Sequence, residues 1–137
     1  MASILIVEDH HQVAELLVRL LQRRSDHRVI GVAASAEEAL ERLDRLSVES
    51  AGGQLPDLAL IDVSLPEMNG IELLQALQRS YPALPCLMLS GHKEGHYVQR
   101  SLAAGARGYV TKENPRILLE GVRQVLAGQI FVGEDLR

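Results

Sequence analysis

Leu58-Ala59-Leu60-Ile61-Asp62 is an aliphatic run that stops on a carboxylate. Three more runs stop on a polar group. Ile4-Leu5-Ile6-Val7 leads into Glu8-Asp9, Cys86-Leu87-Met88-Leu89 into Ser90, and Gly108-Tyr109-Val110 through Thr111 into Lys112. Unbroken apolar runs of this length suit strands buried on both faces, as in a parallel sheet. If all four are parallel strands, these polar side chains lie at one carboxyl edge, where open α/β sheets bind ligands. Three carboxylates, a hydroxyl and a lysine then converge on one place.

The intervening segments read as helices. Val13, Leu16, Leu17, Leu20 and Leu21 recur at helical spacing after Asp9. Arg28 to Ala33 reads as a further strand. Ser35 with Glu38 has the form of a capping box opening a helix that runs to about Leu46. The stretch 47–56 (SVESAGGQLP) reads as a long polar loop. Asn69 is placed to cap a helix carrying Leu73, Leu74 and Leu77, and another helix is expected from about Glu94 to Ala104, ended by Gly105. Asn114 followed by Pro115 marks the start of a last helix that Gly128 ends. Residues 129–137 have no evident partner. Strands and helices that alternate in this way predict a parallel sheet covered on both faces.

With 137 residues, 47% of them apolar, the chain fits one domain. It has one Phe and no Trp, so its core must be aliphatic. A net charge of −4 argues against a general nucleic-acid binder, which carries a basic face. The single cysteine, Cys86, lies inside an apolar run, so it reads as a buried free thiol in a reducing compartment. No stretch approaches the roughly 20 apolar residues of a membrane span, and the N-terminus has no signal-peptide pattern. A cytoplasmic protein is expected.

The converging residues suit phosphoryl chemistry at a metal. Hard cations such as Mg²⁺ take oxygen ligands, and Glu8, Asp9 and Asp62 offer three carboxylates. Crowding these without a cation is unfavourable, because like charges raise one another's pKa. An aspartate can also serve as nucleophile and form an acyl phosphate. Asp62, at the end of the middle strand, is the best placed for that role. Lys112 supplies positive charge and Ser90 a hydroxyl toward a phosphoryl oxygen. Singly, Asp62 reads as a cap or turn residue, Lys112 as a solvated lysine and Ser90 as a turn residue. The joint pattern is what points to a site.

With these residues in place, the chain closely resembles the receiver domain of two-component response regulators, from Ile4 to about Gly128. Glu8-Asp9 resembles the family's metal-binding pair. Asp62 resembles the phosphoacceptor within the segment D-x-x-x-P-x-M-x-G (Asp62, Pro66, Met68, Gly70). Ser90 matches the family's Ser/Thr, and Gly91 the small residue that leaves room for the phosphoryl group. Tyr109 matches the switch aromatic and Lys112 the family's lysine. The resemblance implies Mg²⁺ held by Glu8, Asp9, Asp62 and the Ser64 backbone carbonyl. It also implies a flavodoxin-like (βα)5 three-layer sandwich, with a parallel five-stranded sheet of order 2-1-3-4-5.

His10 after the acidic pair, Gly105-Ala106-Arg107-Gly108-Tyr109 and Val122-Arg123-Gln124-Val125 resemble the LuxR/NarL-type regulators. The implied division is a receiver over 1–128, with 129–137 as the start of a linker to an absent helix-turn-helix output domain. Ile130-Phe131-Val132 resembles the start of that linker. The implied function is a switch rather than an enzyme. Asp62 takes a phosphoryl group from a sensor histidine kinase, Ser90 moves toward it, and Tyr109 turns inward. Homodimerisation or control of transcription follows, with no nucleic acid or membrane bound by this domain. His92, two residues after Ser90, is placed to affect acyl-phosphate hydrolysis.

Two other readings compete. One is a receiver fold acting as an interaction module without phosphate, which the full set Glu8, Asp9, Asp62, Ser90 and Lys112 weighs against. The other is an Asp-dependent phosphatase. Such enzymes commonly carry a second Asp two residues after the nucleophile, where this chain has Ser64.

Overall fold

The computed structural model describes residues 2–24, 26–49, 55–65, 68–91 and 96–136. Strands and helices alternate as β1 (Ser3–Val7), α1 (His11–Arg24), β2 (Arg28–Ala33), α2 (Ala36–Glu49), β3 (Leu58–Asp62) and α3 (Gly70–Ser80). There follow β4 (Cys86–Ser90), α4 (His96–Ala103), β5 (Gly108–Thr111), α5 (Pro115–Leu126) and β6 (Phe131–Val132). A 3-10 turn at Glu134–Leu136 ends the described chain. The sheet is parallel throughout, in the order β2-β1-β3-β4-β5-β6.

Strands β1, β3, β4 and β5 bury both of their faces, which explains why their apolar runs do not alternate with polar residues. Leu5, Val7, Ala59, Ile61, Cys86, Met88 and Tyr109 pack under Leu43 of α2, Leu73, Leu74 and Leu77 of α3, and Val98 of α4. Ile4, Ile6, Leu58, Leu60, Leu87, Leu89 and Val110 face the other way, onto Leu17 and Leu21 of α1 and Ile117, Leu118, Val122 and Val125 of α5. The result is the three-layer sandwich expected. A fully buried Leu or Ile contributes roughly 1.5–3 kcal/mol. This doubled core is therefore mainly aliphatic, with Tyr109 the largest side chain fully buried in it.

The caps sit where the sequence placed them. Asn69 and Glu72 form a reciprocal capping box at the start of α3. Asn114 Oδ1 accepts from Ile117 N at 3.1 Å, with Pro115 in the first turn of α5. At α2 the box is shifted by one residue. Glu38 N donates to Ser35 Oγ at 3.1 Å, but the Glu38 carboxylate accepts from Ala34 N at 2.7 Å.

Several expectations need correction. The order 2-1-3-4-5 is present but extended by a sixth strand, so the segment expected to lack a partner has one. Phe131 N donates to Arg107 O and Gly133 N to Tyr109 O, each at 3.0 Å. The room comes from two glycines. A Cβ on Gly108 would lie 2.7 Å from Phe131 O, and one on Gly121 would lie 3.1 Å from the Phe131 ring. Helix α2 continues to Glu49 rather than ending near Leu46, which shortens the expected loop. Residues 50–54 of that loop, Pro66, His92 and the expected start of α4 at Glu94 lie outside the described residues. Leu16 is not a core residue: it is 62% exposed, while Ala14 of the same helix is buried. No described helix is long and apolar enough to cross a membrane.

Candidate functional site

The carboxyl ends of β1, β3, β4 and β5 form the site. Glu8 follows β1 directly, Asp62 ends β3, Ser90 ends β4, and Lys112 follows β5. The sheet register sets their relative heights. Asp62 pairs with Leu89, so Ser90 stands one step beyond it on the next strand, opposite Thr111. Lys112 N donates to Ser90 O at 2.8 Å, which joins the last two strand ends.

Glu8, Asp62 and Ser90 are buried although polar. Burying carboxylates needs compensation, and Lys112 supplies it. Its Nζ lies 2.5 Å from Glu8 Oε1 and 3.2 Å from Asp62 Oδ2. The other Asp62 oxygen, Oδ1, accepts from Ser64 N at 3.0 Å. This bond closes the turn after β3 and fixes the rotamer of Asp62. Glu8 Oε2 accepts from His10 N at 3.1 Å. Helix α1 begins at His11, so its electropositive N-terminal end adjoins the acidic pair.

The electrostatics follow from burial. Loss of water pushes the Glu8 carboxyl above its ordinary 4.5, and the Asp62 charge adds to that, while the hydrogen bond from Lys112 opposes it. Burial pulls the Lys112 ammonium down. The bond to Glu8 and the charges of Asp62 and Glu8 more than offset this, so its pKa stands above 10.5.

The donor set fits a divalent cation. Glu8, Asp9, His10 and Asp62 each offer a ligand atom, and these atoms lie within 4.8 Å of one another. Asp9 Oδ1 is buried yet accepts no hydrogen bond, which leaves a lone pair aimed at such an ion. His10 is the member that sequence reasoning passed over as a candidate ligand. Its position directly after an acidic pair at a strand end was the available signal.

The remaining candidates are placed as follows. Tyr109 is fully buried, two strands away from Asp62 on the α4 side of the sheet, among the apolar residues that include Val98 and Ala106. Val132 and Leu136, from the tail, pack against the same cluster. A Cβ on Gly91 would meet nothing within 4 Å among the described residues. Ser64 is exposed in the turn after β3. Gly70 closes that turn: its N donates to Val63 O at 3.1 Å, and a Cβ there would lie 2.2 Å from Asp62 O.

Comparison with known proteins agrees with this geometry. The family profile for the response regulator receiver domain matches residues 4–123. The transcriptional activator protein ExaE of Pseudomonas putida is 34% identical over 135 residues, which are 98% of this chain and 59% of that protein. The two-component response regulator of the LuxR family from Aurantimonas sp. SI85-9A1 superposes with a TM-score of 0.88 at 31% identity, covering 99% of this chain and 92% of that one. A CheY-like receiver domain protein from Methanospirillum hungatei JF-1 has a TM-score of 0.78 at 32% identity, over 94% of this chain and 96% of that one. The chain thus spans less than two thirds of ExaE's length.

Proposed function

This chain belongs to the response regulator receiver domain family, and on that premise we propose that it is a phosphorylation switch whose acceptor is Asp62. The observation that carries this reading is the position of Asp62: buried at the end of the middle strand, paired with Lys112, beside the acidic cluster. A carboxylate so enclosed is held for in-line attack rather than for solubility. An Asp62 oxygen attacks phosphorus, the P–N bond of a kinase phosphohistidine breaks, and the imidazole leaves with its electron pair. Lys112 and the Ser90 hydroxyl receive the phosphoryl oxygens. Glu8, Asp9, Asp62 and the Ser64 carbonyl would hold Mg²⁺, which would neutralise charge on the transferring group. Gly91 is the small residue beside Ser90 at the access to Asp62, and His92 follows it in the sequence.

Ser90 and Tyr109 carry the change outward. New contacts to the phosphoryl group bias the domain between two states. The states differ in the packing around Tyr109, α4 and the tail. Residues 1–128 form the receiver and 129–137 lead to an output domain of helix-turn-helix type. The relatives named as transcriptional regulators, and their greater length, support that arrangement. The whole regulator works in the cytoplasm and dimerises on phosphorylation. A groove of about 410 Å³ between α1 and α5 runs beside Lys112, lined by Val13, Leu16, Leu20, Pro115 and Leu118. Arg19, Arg23 and Arg24 also line it, and it is the place for the kinase to dock.

Intact mass after incubation with Mg²⁺ and acetyl phosphate tests the reading. One added phosphoryl group is expected in the wild type and none in Asp62→Asn. A wild type that binds Mg²⁺ and takes up no phosphoryl group refutes it.

A further inference from the structure

We propose that His10 Nδ1 is a direct ligand of the cation held by Glu8, Asp9 and Asp62, and that it tilts the site toward borderline ions such as Ni²⁺ over Mg²⁺. This rests on the metal-binding reading above. His10 follows the acidic pair and is held over it, because its own N–H donates to Glu8 Oε2 at 3.1 Å. Its Nδ1 lies 3.3 Å from Glu8 Oε2 and 3.4 Å from Asp9 Oδ1.

The contact to Glu8 Oε2 is a long hydrogen bond, just past the usual N–H···O range that ends at about 3.2 Å, and the approach to Asp9 Oδ1 is longer still. They match the spacing of neighbouring ligand atoms around one ion. Bonds of about 2.1 Å put adjacent ligands about 3.0 Å apart in an octahedron and about 3.4 Å apart in a tetrahedron. Asp9 Oδ1, buried, accepts no hydrogen bond. One cation between the three atoms satisfies all of them. Imidazole is a poor partner for Mg²⁺, which favours carboxylate, carbonyl and water, and a good one for ions later in the first transition row.

The neighbouring histidine does not compete for this role. His11 Nε2 lies 2.9 Å from Glu15 Oε1, one turn along α1. The His10 side chain is 71% exposed, so its removal leaves the core intact.

Pulsed electron paramagnetic resonance on the Mn²⁺-loaded chain reads the ligand directly. The expected result is a nitrogen coupling from one imidazole, lost in His10→Ala and kept in His11→Ala. Ni²⁺ affinity, with Mg²⁺ as competitor, falls at least about tenfold in His10→Ala, the loss seen when even a group that only orients a ligand is removed. The melting temperature stays as in the wild type, and Mg²⁺ affinity falls by less than Ni²⁺ affinity. Bound Mn²⁺ without nitrogen coupling, or coupling that survives His10→Ala, overturns the inference and leaves the acidic metal site standing. A wild type that binds no Mn²⁺ and no Mg²⁺ overturns both.

Discussion

Lys112 Nζ bridges the two buried carboxylates of the site, 2.5 Å from Glu8 and 3.2 Å from Asp62. One cation therefore compensates two anions, and its removal leaves both uncompensated. Lys112→Met is expected to destabilise the metal-free domain by about 3 kcal/mol, the cost of breaking a buried pair. Denaturation in urea measures this. The deficit depends on pH. Lys112 lowers the Glu8 pKa against the raising effect of burial, so in the variant Glu8 rises further. A carboxyl with a raised folded pKa favours the native state below its unfolded value and loses that contribution as pH climbs through the folded one. The gap between variant and wild type should accordingly close toward pH 4.5 and widen above it. Mg²⁺ should stabilise the variant more than the wild type.

Gly70 lies against the backbone of the phosphoacceptor candidate. A Cβ there would stand 2.2 Å from Asp62 O and 2.8 Å from Val63 Cα, and neither backbone atom has room to yield. Gly70→Ala should cost about 1–3 kcal/mol and slow phosphoryl uptake by displacing Asp62. Gly91→Ala is the control. Its Cβ meets nothing within 4 Å among the described residues, so stability should change by less than about 0.5 kcal/mol. Equal losses in the two variants would mean that the turn after β3 is more compliant than its packing indicates.

These contacts show what the sequence can and cannot reveal. Strands β1, β3, β4 and β5 were legible because each is buried on both faces and ends on a functional group. Asn69 and Asn114 marked helix starts because caps act locally. Leu16 misled because helical spacing identifies a stripe but not its width. The core takes Ala14, Leu17 and Leu21 and leaves Leu16 outside. Strand β6 was illegible for a different reason. Two residues carry no periodicity, and the pairing depends on Gly108 and Gly121, which lie in other elements and make room for Phe131. The Lys112 bridge was foreseen as convergence. Its choice of Glu8 as the nearer partner depends on register and rotamers.

The exposed Leu16 is expected to serve docking rather than chemistry. It lines the groove between α1 and α5 beside Lys112 and has no role in the core. Leu16→Asp should leave acetyl phosphate uptake and melting temperature unchanged. Phosphoryl transfer from the cognate kinase should fall at least about tenfold, as for loss of an interface anchor. Equal transfer by variant and wild type would place the kinase elsewhere.

Cys86 gives a readout of the core itself. It is 0% exposed on β4, and burial pushes its thiol up to about 12 from the ordinary 9.0. Ellman's reagent at pH 8 should not label the native domain and should label it fully in denaturant. The same shift acts on stability. Below pH 9 the thiol is neutral in both states, so the contribution of its burial is complete. Between pH 9 and about 12 the unfolded chain ionises this thiol and the native state does not, so stability falls as pH rises. One group contributes at most about 1.4 kcal/mol per pH unit. Tyrosines and lysines titrate over the same range, so the slope must be isolated by comparison. Cys86→Ala should be less stable than the wild type at pH 8, because it leaves a small void. Its decline above pH 9 should be shallower, so the two stability curves converge. Parallel curves would show that the thiol meets water in the native state, and the packing of β4 between its two helical layers would then be looser than described.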